Sequence, residues 1–231
     1  MASPGMPYFD LLLERLASSN ASFDKSFGRH VHWGYWTDPR LAVCDDEDYA
    51  RAAEQLTLEL CQAAGIGAGE RVLDVGCGFG GTIASLNERF EGMRLTGLNI
   101  DERQLERARR LVIARPGNTV AFQAGDACAM PFADGSFDRI LAVECIFHFS
   151  SREQFFAEAI RLLRPGGTLA LSDFVPAAPF VPIVRLATEA PLFTRFQYFG
   201  RLNLRYSLGS YRRLAARTGF LPVAPDPEVA Q

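Results

Sequence analysis

The chain has 231 residues, 48% of them hydrophobic, enough to bury one sizeable core in a single domain. A formal net charge of −3 supplies no overall positive field to draw it onto nucleic acid or anionic lipid, and no apolar run is long enough to span a bilayer. The N-terminus lacks a basic, signal-like region, and the five cysteines form neither CxxC nor a Cys/His ligand spacing, so the expectation is a soluble cytoplasmic protein with reduced thiols and no metal.

In chain order, residues 1–65 read as helices flanking an aromatic run, His30-Val31-His32-Trp33-Gly34-Tyr35-Trp36. From residue 70, short apolar runs alternate with helical patterns, which is the signature of βαβ units. Strands are predicted at 71–75, 94–98, 119–123, 137–143 and 168–173. The first helix spans about 79–90. Asp101 with Gln104, and Ser151 with Gln154, have the spacing of helix N-terminal boxes, and Pro165-Gly166-Gly167 ends the helix that Ser151 opens. A last helix is predicted at 211–218, stopped by Gly219. Short right-handed crossovers then favour an open α/β sheet, mostly parallel and twisted, with helices on both faces and a ligand at the strand C-termini. Residues 174–210 are too apolar for a solvated linker and too long for an ordinary connection. They are assigned, with residues 1–65, to a lid over a core of residues 66–231, all in one domain.

The most informative stretch runs from Val72 through Gly76, Gly78, Gly80 and Gly81. An apolar strand ends in an acid, Asp74, and then in alternate glycines that open a helix, where backbone can approach a ligand closely. Gly76, Gly78 and Gly81 also satisfy the dinucleotide pattern GxGxxG, so the string alone leaves an NAD(P)-dependent oxidoreductase open. Asp74, the extra Gly80 and Leu163-Arg164-Pro165-Gly166-Gly167 separate the two readings. Together they resemble the class I S-adenosylmethionine-dependent methyltransferases over about residues 65–220, and the implied fold is Rossmann-like. Gly97-Leu98-Asn99-Ile100 and the segment Glu144-Cys145-Ile146-Phe147-His148 are similar to the small-molecule branch that includes sterol and tocopherol C-methyltransferases.

The resemblance implies S-adenosyl-L-methionine as cofactor, S-adenosyl-L-homocysteine as its product, and a small hydrophobic or amphiphilic acceptor methylated on carbon, oxygen or nitrogen. Asp74, Gly76, Cys77, Gly78 and Gly80 would serve the amino-acid end. Asn99, where an acid is expected, would meet the ribose with Ile100 and Gln104 beside it; Asp126 and Ala127 would read the adenine. Glu144 would bind cofactor or stabilise charge, and His148 would act as general base where the acceptor must lose a proton. In the aromatic run, Tyr35 is a candidate cofactor contact, and Trp33 and Trp36 candidate acceptor walls. Residues 185–217 hold seven arginines against one acid, Glu189. Arg185, Arg195 and Arg201, interleaved with Tyr198 and Tyr206, are candidate contacts for an anionic acceptor head. A non-catalytic module that holds the cofactor is the remaining alternative. The prolines at 222, 225 and 227 argue against the sixth strand and antiparallel seventh strand usual in such folds, so a homodimer or another segment would cover the sheet edge.

Overall fold

The computed structural model describes residues 7–17, 21–43, 45–176, 178–181, 183–184 and 206–223. Three helices come first, α1 (Pro7–Ala17), α2 (Ala21–Phe27) and α3 (Asp46–Ala64), with a 3-10 turn at Pro39–Leu41 between the last two. The core then runs β1 (Arg71–Val75), α4 (Gly81–Arg89), β2 (Arg94–Asn99), α5 (Glu102–Leu111), β3 (Thr119–Ala124), β4 (Phe137–Ala142), α6 (Arg152–Leu162), β5 (Leu163–Leu171) and α7 (Leu208–Thr218). The five strands form one sheet in the order β3-β2-β1-β4-β5, all parallel. This is the predicted open twisted α/β sheet.

Strand periodicity decides which face each side chain serves. Leu73 and Val75 of β1, with Ile140 and Ala142 of β4, pack against Phe155, Phe156 and Leu162 of α6 and Leu214 of α7. The alternate residues Val72, Leu95 and Leu141 face Cys61 and Ala64 of α3 and Ile83 and Leu86 of α4. Both faces are therefore covered, as a parallel sheet requires.

Local chemistry sets the helix ends. Asp101 caps α5 by accepting from Arg103 N–H, Ser151 caps α6 by accepting from Gln154 N–H, and Gly219 closes α7 at φ +91. Three boundaries differ from expectation. The first core helix begins at Gly81 because Gly80 sits at φ +80. α7 begins earlier, at Leu208, capped by Ser207. β5 already starts at Leu163: its partners jump from Phe137↔Leu163 to Arg139↔Thr168, so residues 164–167 bulge out of the ladder.

Two contacts outside the sheet fix the site. Arg152 and Asp173 form a buried ion pair at 2.7 Å, with side-chain exposures of 0% and 1%, and Tyr211 hydrogen-bonds both, locking α6, the end of β5 and α7 together. On the other side, Phe9 and Leu12 of α1 pack on Phe79, while Arg107 of α5 reaches Asp24 at 2.7 Å. Among the described residues no strand pairs with the outer edge of β5, and no helix is long and apolar enough to cross a membrane.

Candidate active site

The C-terminal ends of β1, β2 and β4 open into a cavity of about 820 Å³, closed from the other side by Tyr8 and Phe9 of α1 and by residues 29–32. At its floor, Asp74 is buried beside Thr82, and burial pushes its carboxyl up to about 7. One of its oxygens, Oδ2, has no hydrogen-bond partner. The glycine turn above it has no room for side chains. A Cβ at Gly76, φ +77, would lie 2.7 Å from Cys145 Cβ and Sγ, and one at Gly78, φ +52, would lie 2.5 Å from Val31 Cγ2. The turn's donors differ from expectation. Gly76 and Cys77 already donate their N–H groups to Leu98 O, at 2.8 and 3.0 Å, which leaves Gly78 and the first turn of α4, through Gly81 and Thr82, as the donors facing the cavity.

At the end of β2, Asn99 donates its amide to Gln104 Oε1 at 3.0 Å; both line the cavity, with Ile100 and Leu98. Asp126, after β3, accepts from Cys128 N–H at 2.8 Å, so one oxygen shapes the turn while the residue still lines the cavity beside the buried Ala127.

Glu144 follows β4 at φ +46, a left-handed conformation costly for a residue with a Cβ. Two bonds over-determine it: its N–H donates to Ser172 Oγ at 3.0 Å, and its Oε2 accepts from Trp33 N–H at 2.6 Å. Burial first, and the Asp173 charge against the opposing Trp33 hydrogen bond, bring its carboxyl up to about 7. His148, in the 3-10 turn Ile146–His148, also lines the cavity, and burial lowers it to about 4. It is therefore neutral at physiological pH.

The structure thus brings together Asp74, Gly76, Cys77, Gly78, Asn99, Ile100, Gln104, Asp126, Ala127, Glu144 and His148. Other predicted contacts fall outside the cavity lining. Gly80 is the αL cap of α4, and its absent Cβ makes room for the Phe122 ring. Tyr35 is 39% exposed and bonds through its backbone to Ala52 O. The Trp33 ring is 55% exposed, and its contribution to Glu144 comes from the main chain. Trp36 donates Nε1–H to Asp48 Oδ2 at 2.7 Å, anchoring its loop to α3. Tyr206 hydrogen-bonds Glu153 and lies under the Arg152 guanidinium at 4.5 Å. Arg185, Arg195, Tyr198 and Arg201 lie outside the described residues. Tyr8, Arg29, His30, His32 and Thr82 line the cavity without having been singled out; His30 and His32 stood in the aromatic run, where the rings drew attention away from them.

A parallel sheet of this order, with an acid and a glycine turn at its first strand and polar side chains ending the next two, defines a Rossmann-like class I methyltransferase fold. Residues 73–171 match the methyltransferase domain family. The chain is 42% identical over 150 residues to methyltransferase GfsG of Streptomyces halstedii, covering 64% of this chain and 52% of that one. It is 37% identical over 153 residues to 27-O-demethylrifamycin SV methyltransferase of Amycolatopsis mediterranei, covering 66% and 54%. The chain spans about half the length of these curated relatives. Geranyl diphosphate C-methyltransferase of Streptomyces coelicolor A3(2), solved with Mg2+, geranyl diphosphate and S-adenosyl-L-homocysteine, shares the fold at TM-score 0.67 and 20% identity, over 94% of this chain and 81% of that one. Residues 73–171 are thus similar to a methyltransferase domain, set in the fold of the class I S-adenosylmethionine-dependent methyltransferases.

Proposed function

We propose that this protein transfers the methyl group of S-adenosylmethionine to a hydroxyl of a small hydrophobic or amphiphilic natural product. The observation that carries the reading is Glu144, a half-buried carboxyl in a left-handed turn, lining the same cavity as the Asp74 to Gly78 cradle. The residues present suit the cofactor. The unpartnered Asp74 Oδ2 answers an ammonium, Asn99 retains an acceptor for a ribose hydroxyl once its amide is engaged by Gln104, and Asp126 takes an exocyclic amine. When bound, S-adenosylmethionine supplies a methyl carbon already activated by its sulfonium. The chain's own work is alignment, exclusion of water by α1 and residues 29–32, and acceptance of the acceptor's hydroxyl proton by Glu144.

An oxygen acceptor is favoured by a carboxyl near 7 at Glu144 beside a neutral His148, and it agrees with the name of the rifamycin relative. The acidic balance of the chain supports a small-molecule acceptor over nucleic acid. The test is mass spectrometry of a panel of hydroxylated metabolites incubated with the protein and methyl-deuterated S-adenosylmethionine. The expected result is a product heavier by one labelled methyl group on oxygen. S-adenosylhomocysteine binding without any methylated product would favour the non-catalytic module, and binding of NAD in its place would overturn the reading.

A further inference from the structure

In the turn after β1, Gly76 and Cys77 have committed their N–H groups to Leu98 O, and Asp74 suits an ammonium but repels a carboxylate, so a ligand carboxylate is left to Gly78 N–H and the first turn of α4. His30 lies beside the donors that remain. Its side chain is 3% exposed, its Nε2–H donates to Glu54 Oε2 at 2.9 Å, and its Nδ1 has no partner. That nitrogen faces the start of α4, where a Cβ on Gly81 would stand 2.4 Å from it, and His30, Gly81 and Thr82 all line the cavity.

We propose that His30, as an imidazolium paired to Glu54, binds the carboxylate of the cofactor's amino-acid end through Nδ1–H, with the first turn of α4 as the second donor. This rests on the cofactor reading above. The surroundings suit the charge. Against the cost of burial, hydrogen bonds from His30 and Ser85 and the charge of Arg29 hold the Glu54 carboxyl well below the usual range, so a counter-ion is permanently present. Arg89 of α4 reaches the same carboxylate at 3.1 Å, and Arg29 is divided between Glu54 and Glu88. The neighbouring His32 ring, 4.7 Å away, is held at about 3 by burial and by His30, so it stays neutral and adds no second charge.

The experiment is titration calorimetry of the full chain with S-adenosylhomocysteine and with its decarboxylated analogue, which keeps the ammonium and lacks the carboxylate. His30→Ala is expected to weaken S-adenosylhomocysteine roughly tenfold or more while changing the analogue by less than about twofold. Equal loss for both ligands in the variant overturns the assignment of His30. Failure of the unmodified protein to bind either ligand overturns the cofactor reading itself.

Discussion

At the scale of single residues, the site is governed by two carboxyls, the buried Asp74 and the half-buried Glu144. Asp74 and Glu144 both titrate near 7 because burial disfavours their ions, yet their surroundings differ: Asp74 has an unpaired oxygen, and Glu144 is held by a main-chain donor. A base poised near neutrality should show itself in the rate. In the unmodified enzyme kcat should rise with pH and level off above about 7, since the ionised form of Glu144 is the active one. Glu144→Gln keeps an acceptor for Trp33 N–H but cannot take a proton. It should lower kcat by about 10²–10⁴-fold while S-adenosylhomocysteine affinity measured by calorimetry changes little. An unchanged kcat would remove Glu144 from the chemistry. Asp74, Asn99, Asp126 and Glu144 were legible in the sequence because each lies at or just past the end of a strand set by local pattern. The preference for Glu144 over His148 was not, because it depends on burial and on a bond from a residue far away in sequence.

At the scale of elements, the caps were legible and the pairings were not. Asp101 and Ser151 act on residues two or three positions ahead, so their spacing alone reveals them. The bulge of β5 is a property of its register with β4, and the committed N–H groups of Gly76 and Cys77 depend on Leu98 of the neighbouring strand. The aromatic run likewise proved to be an anchoring element, with Trp36 bonded to α3 and the histidines, not the rings, on the cavity. Two glycines separate backbone strain from site geometry. Gly76 and Gly166 have nearly equal φ, +77 and +78, but a Cβ at Gly76 strikes Cys145 whereas one at Gly166 meets open space. Gly166→Ala should cost about 1 kcal/mol and leave ligand binding intact, whereas Gly76→Ala should cost more and weaken S-adenosylhomocysteine at least about tenfold. Thermal unfolding and calorimetry on the two variants would check this, and equal ligand affinities would show that the turn is not part of the site.

At the scale of the whole molecule, the sheet, the helices on both faces and a crevice at the strand C-termini followed from the alternation of strand and helix patterns, and the comparisons agree with that architecture. The site also imposes a cost on the fold. Asp74 titrates near 7 when folded and near its ordinary 3.8 when unfolded, so between those values the folded chain holds the extra proton and loses stability as pH rises. Asp74→Asn is neutral throughout. Its Tm relative to the unmodified protein should therefore climb by several degrees from about pH 4 to about pH 7. His32, His148 and Glu144 titrate in both proteins and drop out of the difference. A constant difference would mean that Asp74 is ionised in the fold at no cost. The main-chain origin of the Trp33 contact has a practical consequence. Of the chain's two tryptophans, one indole is pinned to Asp48, while the other stands in solvent on the residue whose main chain holds Glu144, so Trp36→Phe leaves a single native fluorophore, carried by the segment that bonds Glu144.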